Sequence, residues 1–159
     1  MAIVSFKAGE SISAGDAVFV SASGFAYKAI ATSFENAFVA GVAINGGSAG
    51  NLIRVNSDSV YDSSFTFVPG VTQYLSFTTS GAYADYESIS SSLGLTSYPG
   101  IYLSQVGKAV TTSKLEVETS VPIFLINTTS VFLLESSAGL TLDAILLEDG
   151  STINLETAL

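Results

Sequence analysis

The sequence predicts an all-β protein: a small antiparallel β-barrel or sandwich with a C-terminal β-meander appendage. Apolar residues recur at a period of two in stretches such as AVFVSASGFAYKAI and IYLSQVGKAVTTSKLEVE, which are rich in Val, Ile, Phe, Tyr and Thr. Clusters of Gly, Ser, Asn and Asp interrupt these stretches roughly every 8–12 residues, which is the spacing of a sandwich or a small barrel.

The composition indicates one domain whose surface is suited to assembly. The chain has 159 residues, of which 48% are apolar and only 12% are charged. Such a length is sufficient to bury a hydrophobic core. Because charge is scarce, Ser, Thr and Asn must supply most of the surface polarity, and a weakly charged exterior is common on proteins that pack against one another.

The charge balance argues against nucleic acid as a partner. The net charge is -9, and the five cations are scattered along the chain as Lys7, Lys28, Arg54, Lys108 and Lys114. The chain has no Cys, so neither a disulfide framework nor a thiolate site is expected. The start MAIVSFKAGE lacks the features of a secretory signal, and no apolar run reaches the roughly 18 residues of a membrane span. We therefore expect synthesis in a cytoplasm and no membrane partner.

Turn signals place the strands in order. Gly15 and Gly50 each follow a small residue and precede a short polar residue and a strand, so both are expected at positive φ. GVA at 41–43 and GKA at 107–109 are each followed by a loop and a strand, which predicts two similar hairpins. Pro-Gly turns at Pro69 and Pro99 each precede an aromatic strand. The stretch ADYESISSSLGL (84–95) lacks alternation and is predicted as a loop or a single helical turn.

The order of these motifs resembles a known viral module. AGESISAGDAVFV, GFAYKA, VAGVAINGGSAGNLIRV, GVTQYLSFTTSGAY and GIYLSQVGKAVTTSKLEV are similar to a small β module of tailed-bacteriophage virion proteins, found in capsid decoration (cement) and head-fibre proteins. The resemblance covers roughly residues 8–118. The matching positions are Gly15, Asp16, Gly41, Val42, Ala43, Tyr74, Leu75, Ser76, Val106, Gly107 and Ala109.

The resemblance implies a structural virion protein. Its domain at 1–126 would bind the outer surface of the major capsid protein lattice, as a homotrimer located in the virion. The alternative is a phage fibre or tail-appendage module that binds host surface glycans, but the chain lacks the repetitive shaft or heptads of a fibre. The residues that we assign to structural turns are Gly15, Asp16, Gly41, Gly50, Gly107 and Gly150.

The residue types disfavour an enzyme. The chain contains no His, which removes the usual general base and the Ser-His-Asp arrangement. Ser104 and Lys108 could face the same side of a strand as a Ser-Lys dyad, but a solvated strand face is the simpler interpretation. Two carboxylate pairs on strands, Asp85 with Glu87 and Glu116 with Glu118, are likewise interpreted as wet surface.

Ligand sites are also weakly indicated. The loop with Asn56, Asp58 and Asp62 could hold calcium, although Asx-rich turns usually bind their own backbone. The glycines at 46, 47 and 50 are interpreted as a turn and not as a phosphate cradle. We therefore predict no metal and no cofactor. Aromatic residues could stack on sugar rings or belong to the core and its rim; the four considered are Tyr83, Tyr86, Tyr98 and Tyr102.

The tail, 127–159, is predicted to be a separate acidic β-meander that serves assembly. Asp149-Gly150 is a hairpin signal, and three short strands are expected near 129–135, 140–147 and 151–156. Its five carboxylates have no cation beside them, and three short strands seldom stand alone in water. We therefore expect the tail to pack against sister subunits or the shell through apolar side chains, with assembly residues Leu133, Leu142, Leu146 and Leu155.

Overall fold

The computed structural model describes residues 2–92 and 101–125 and, as backbone, two short strands at 144–146 and 152–154. The chain divides into two compact units, and the first unit contains all of the described residues up to Leu125. The first unit is built mainly of strands with two short helices, which confirms the predicted all-β class. Its elements are β1 (Ile3–Ala8), β2 (Ala17–Val20), β3 (Phe25–Lys28), α1 (Phe34–Ala37), β4 (Gly41–Ala43), β5 (Leu52–Asn56), β6 (Val60–Asp62), β7 (Thr72–Leu75), β8 (Tyr83–Asp85), α2 (Tyr86–Ser92), β9 (Ile101–Leu103), β10 (Gln105–Ala109), β11 (Lys114–Val117) and β12 (Ile123–Leu125).

The first five strands form a closed barrel in the order β1–β3–β2–β4–β5, and β5 pairs back with β1. The pairing is antiparallel except between β1 and β3, where the strands run parallel with Lys7 opposite Phe25 and Ala8 opposite Ala26. Alternate apolar residues fill the interior because side chains in a strand point to opposite faces. The buried residues of this barrel core are Ala8, Ile12, Val18, Ala26, Ala43, Ile53 and Val55.

The second sheet repeats the barrel strand by strand. Its order β6–β11–β10–β7–β8 corresponds to β1–β5–β4–β2–β3 in the barrel. The register is also the same, since residue pairs of the barrel have counterparts in the sheet: Ile3–Asn56 with Val60–Glu116, Val42–Asn56 with Lys108–Glu116, Val18–Gly41 with Gln73–Gly107, and Val20–Ala26 with Leu75–Tyr83. Five strands in one order and one register constitute an internal duplication.

The second copy differs from the first in that it does not close. In the same register Ala26 of the closing pair corresponds to Tyr83, and Phe65, three residues beyond the end of β6, is as far from Val60 in sequence as Ala8 is from Ile3. Paired strands lie about 4.7–4.9 Å apart, which two methyl groups inside a narrow barrel allow. Phe65 and Tyr83 instead meet ring to ring, with centroids 5.9 Å apart. Their bulk holds β6 and β8 apart and leaves a seam.

A larger hydrophobic core joins the barrel to the second sheet. Its buried residues are Ala17, Phe19, Ala29, Ala31, Ala37, Val39 and Val42 from the first copy with Phe67, Leu75, Val106, Ala109, Leu115 and Val117 from the second. Backbone hydrogen bonds cross the same boundary, because Ala17 donates its N–H to Gly81 O at 2.8 Å and Gly81 donates to Ala29 O at 2.7 Å. The two copies therefore share one core.

The predicted hairpins are confirmed, but two of the glycines assigned to turns belong to strands. β4 pairs with β5 and β10 with β11, both antiparallel. Gly15 and Gly50 have φ of 94° and 88°, as expected of turns. Gly41 and Gly107 instead lie in β4 and β10, where a Cβ would overlap the carbonyl oxygen of the neighbouring strand. Close strand approach, and not a turn, requires glycine there.

The two Pro-Gly stretches, at Pro69 and Pro99, do not precede equivalent strands of the fold. β7, which follows Pro69, is the counterpart of β2 in the duplicated sheet. β9, which follows the second stretch, instead pairs with β12 in a separate two-stranded sheet. Pro99 itself lies outside the described residues.

Helix α2 replaces the loop or single helical turn predicted for 84–95. The stretch begins in strand β8 and continues as a seven-residue helix. Asp85 initiates it, because its carboxylate accepts the backbone N–H of Ser88 at 2.7 Å, as an N-cap does. The serine-rich sequence, with three consecutive serines at 90–92, concealed this helix, which packs against β7 and β8.

In the second unit, strands β13 (Ala144–Leu146) and β14 (Thr152–Asn154) pair antiparallel, with Ile145 opposite Ile153. They fall within the strands expected near 140–147 and 151–156 and are shorter. The strand expected near 129–135 and the turn at Gly150 lie outside the described residues. So do the assembly residues Leu133, Leu142 and Leu155, whereas Leu146 is the last residue of β13.

Candidate functional site

Four aromatic rings form a continuous row on the first unit, and we call them the aromatic surface: Phe38, Phe34, Tyr102 and Phe124. The ring centroids are 6.3 Å apart between Phe38 and Phe34, 6.0 Å between Phe34 and Tyr102, and 5.3 Å between Tyr102 and Phe124. Helix α1 supplies Phe34 and its C-cap residue is Phe38, both beside β9, and the cross-strand pair Tyr102–Phe124 of β9 and β12 supplies the other two rings. Three separate elements therefore build one apolar surface.

The aromatic surface is open to solvent. Phe34 is 51% exposed and Phe124 49%, and the neighbouring Ile123 on β12 is 61% exposed. Among the described residues β12 pairs with β9 alone, so no described strand covers its other edge. Each exposed ring lacks the favourable free energy of burial, which is about 25 cal/mol per Å² of apolar surface. Contiguous apolar surface of this kind marks an interaction site on a folded protein.

The proposed Ser-Lys dyad is not formed. Ser104 is fully buried, whereas Lys108 is exposed. A register irregularity lies between Gln105 and Gly107 where β10 pairs with β7. Such a bulge shifts the alternation by one residue, so positions four apart no longer share a face. The Ser104 hydroxyl is buried without a hydrogen-bond partner among the described residues.

The two carboxylate pairs serve local structure. The pKa of Asp85 is lowered, mainly by the backbone N–H of Ser88 and also by the side chain of Ser88, because both stabilise the charged form. Glu87 lies in helix α2 and not on the strand that the sequence predicted. In the second pair, Glu118 accepts a hydrogen bond from the amide of Gln105 at 3.3 Å, and Glu116 is exposed on β11.

The candidate calcium loop is a turn held by its own side chains. Asn56 Oδ1 accepts the Ser59 N–H at 3.0 Å and the Ser59 hydroxyl at 2.9 Å, and Asn56 Nδ2 donates to Ser59 O at 3.1 Å. Asp58 accepts the N–H of Ala2 at 2.6 Å, and Asp62 lies 3.8 Å from Lys114 Nζ. The Asn56 carboxamide is engaged in the turn, as the turn interpretation predicted, whereas the Asp62 side chain is 81% exposed and forms only a surface ion pair.

The glycine cluster is likewise part of the barrel end. Gly47 exchanges two backbone hydrogen bonds of 2.9 Å with Ile12, and Gly50 donates its N–H to Ala8 O at 2.7 Å. These amides are therefore already satisfied and do not form a cradle. Among residues 2–92 and 101–125, no three His, Cys, Asp or Glu side chains gather as metal ligands would.

The four tyrosines considered for sugar stacking have different positions. Tyr102 belongs to the aromatic surface, Tyr86 is exposed on α2 and packs edge-on against Tyr74 at 6.1 Å, and Tyr98 lies outside the described residues. Tyr83 is mostly buried between Phe65 and Phe67, and its ring stacks on Phe67 at 6.4 Å.

Burial is the largest cause that raises the pKa of Tyr83 well above its ordinary value. The nearby Tyr61 raises this pKa further, and the Asp16 carboxylate adds a smaller contribution. The Ser63 side chain acts in the opposite direction with a smaller effect. The Tyr83 hydroxyl is nevertheless buried without a hydrogen-bond partner among the described residues. The phenol is therefore held in its neutral form.

A cleft of about 240 Å³ opens beside Tyr83. Its lining residues are Phe65, Thr66, Phe67, Val68, Gln73, Tyr83, Ala84 and Asp85. Sequence reasoning singled out Tyr83 and Asp85 but missed Gln73 and the two phenylalanines. The available signal was an amide at the inward position of the strand TQYL, where the counterpart strand AVFV has a valine.

No helix among the described residues is long and apolar enough to cross a membrane. No model of a known protein family matches the sequence, and a search of curated proteins returns no match.

Proposed function

We propose that the protein is a non-enzymatic structural subunit of a bacteriophage virion, which binds the outer surface of the major capsid protein lattice and decorates or cements it. Residues 8–118 carry the motifs that resemble phage decoration modules. The duplicated β module supplies a rigid body, because both copies share one close-packed core.

The aromatic surface is the observation that carries this proposal. A row of four rings from α1 with its C-cap residue, β9 and β12 presents apolar area beside a strand edge that no described strand covers. Interface cores are enriched in aromatic residues and depleted of charge, and hot spots gather in such clusters. We assign this surface to contact with the capsid lattice.

Attachment through aromatic rings and backbone groups predicts that binding to capsids depends only weakly on salt. Only five cations are present to meet an acidic lattice, so charge contributes little to binding. We expect the amount bound to mature capsids to change little between about 50 mM and 500 mM NaCl, measured by co-sedimentation. Release by moderate salt would contradict attachment through the aromatic surface.

A double variant tests the surface itself. Phe34→Ser with Phe124→Ser is expected to lower capsid affinity by at least roughly a hundredfold, because truncation of a hot spot costs about 2 kcal/mol or more. Both side chains are half exposed, so the fold should survive. The matched control is Leu52→Ser, an exposed apolar residue on β5 of the barrel, which should bind as the parent does.

Copy number in purified particles separates decoration from the alternative. Hundreds of copies that scale with the capsomers support decoration, whereas about a dozen indicate a fibre or tail appendage that binds host glycans. Undiminished binding by the double variant would also overturn the assignment of the aromatic surface.

A further inference from the structure

The cleft beside Tyr83 is the interior of the second module, opened along its seam. In the closed barrel the interior positions Ala8, Val18 and Ala26 are fully buried. Their counterparts in the duplicated sheet are Gln73 for Val18 and Tyr83 for Ala26 by the shared register, and Phe65, which lies beyond the end of β6, is as far from Val60 in sequence as Ala8 is from Ile3. All three line the cleft. The same fold thus encloses a dry core in one copy and surrounds an accessible space in the other.

Gln73 provides polar groups at this space. It is only 5% exposed and lines the cleft, whereas the closed barrel has Val18 at the counterpart position. The amide can donate and accept together, so it suits a ligand that carries hydroxyl groups.

The walls are aromatic and apolar. Phe65 is 52% exposed and presents ring surface at the entrance, and Val68 lies beside it. The Tyr83 hydroxyl is shielded from solvent, so only its ring contributes to the wall. A cleft of about 240 Å³ is smaller than the roughly 300–1,000 Å³ of drug-sized sites, so it accepts one ring.

The charge around the cleft selects against anions. Asp85 is the charged residue of the lining, and no cation accompanies it. A phosphate or an acidic sugar would therefore meet repulsion and no counter-charge. A neutral ring with an apolar face and hydroxyl edges matches the walls, the amide and the carboxylate together.

We propose that this cleft binds one ring of a neutral carbohydrate, stacked against Phe65 and hydrogen-bonded to the Gln73 amide, with the Asp85 carboxylate at the rim. The proposal goes beyond capsid attachment and does not depend on it, because the cleft and the aromatic surface share no residue. A shell-bound subunit with this site would present a sugar-binding cleft as well as an attachment surface.

The test uses the full-length protein with glucose, galactose, N-acetylglucosamine and sialic acid as probes. Saturation-transfer NMR and titration of the side-chain amide resonances of Gln73 report binding and its place. We expect at least one of the three neutral sugars to bind and to shift the Gln73 resonances, and sialic acid not to bind. If none of the neutral sugars produces either signal, or if sialic acid is preferred, the proposal is overturned.

Two variants locate the site. Gln73→Val restores the residue of the closed barrel and is expected to lower affinity at least roughly tenfold, since the hydroxyl groups lose their partner. Its thermal stability should equal or exceed that of the parent. Phe65→Ser removes the exposed wall and should lower affinity similarly, whereas Leu52→Ser should change nothing. Unchanged sugar binding by either cleft variant would overturn the assignment of the site.

Discussion

Gly41 and Gly107 occupy the same place in the two copies of the module. A Cβ on Gly41 would overlap the carbonyl oxygen of Asn56, and a Cβ on Gly107 that of Glu116. Asn56 and Glu116 are themselves counterparts in the shared register. The two hairpins therefore repeat one close backbone approach, which only glycine permits.

We expect Gly107→Ala to lower the free energy of unfolding by about 1–3 kcal/mol, because the obstacle is backbone that cannot move without breaking the β10–β11 pair. Gly50→Asn is the matched control: its φ is 88°, nothing lies within 4 Å, and Asn tolerates this conformation. Its cost should stay below about 1 kcal/mol. Urea unfolding measures both variants, and equal losses would contradict the close-approach explanation.

Because the pKa of Tyr83 is raised, the folding stability depends on pH in the alkaline range. Burial raises its folded pKa above the ordinary value of about 10, so the unfolded chain loses this proton first as pH rises. Stability is then fully present below about pH 10 and declines as pH rises toward the folded pKa. Tyr61 acts in the same direction, since burial and then Asp16 raise its pKa as well.

Tyr83→Phe should remove part of this decline. Near pH 8 we expect the variant to be as stable as the parent or more stable, because the deleted hydroxyl has no partner. Between about pH 10 and 11.5 the parent should lose more stability than the variant. Urea unfolding near pH 8 and between about pH 10 and 11.5 measures the stability of the parent and the variant, with Tyr27→Phe as a control. Parallel pH profiles of the parent and Tyr83→Phe would refute the role of Tyr83.

At the scale of elements, helix α2 depends on one capping side chain. Asp85 ends β8 and accepts the backbone N–H of Ser88, so a single residue joins the strand to the helix. Because its pKa is lowered, this contribution is present above the ordinary pKa of Asp and is lost as pH falls through the folded pKa.

We expect Asp85→Ala to destabilise the protein by about 0.5–1 kcal/mol, at the lower end for an N-cap because the carboxylate is exposed to solvent. Glu87→Ala, an acidic residue in the first turn of the same helix, should cost about half as much or less. Thermal unfolding at pH 7 and at pH 3 compares the two. The difference in stability between the two variants should be smaller at pH 3 than at pH 7. The same difference at both pH values would exclude the cap.

At the scale of the whole molecule, the fold combines two versions of one module. The first copy closes into a barrel with small residues at the seam, and the second stays open around Phe65 and Tyr83. The shared core makes the two copies one body. The tail belongs to the other compact unit, which contains the hairpin of β13 and β14.

Deletion of 127–159 should therefore leave a folded β domain with nearly unchanged thermal stability. We expect the truncated protein to lose trimerisation or capsid attachment, because the acidic, leucine-rich tail is predicted to pack against sister subunits or the shell. Calorimetry, analytical ultracentrifugation and capsid co-sedimentation measure these properties. A truncated chain that unfolds, or one that assembles and binds as before, would show that the tail has a different role.

Local sequence patterns were sufficient to predict the all-β class, the two hairpins and the positive φ of Gly15 and Gly50. These features depend on local alternation and local backbone preference, which neighbouring residues express directly. The hairpin between β13 and β14 follows from the same local rules. Helix α2 escaped detection because its start depends on a cap and its faces lack a clear apolar period.

Which distant residues meet depends on tertiary packing. The duplication is visible in strand order and register. It is not evident in the sequence, because counterparts such as Val18 and Gln73 differ in chemistry. The cleft exists because two rings keep β6 and β8 apart, and a bulge in β10 buries Ser104 away from Lys108. The aromatic surface joins α1, β9 and β12 from remote parts of the chain. Packing between segments far apart in sequence carries no local periodicity, so no pattern of neighbouring residues could reveal these sites.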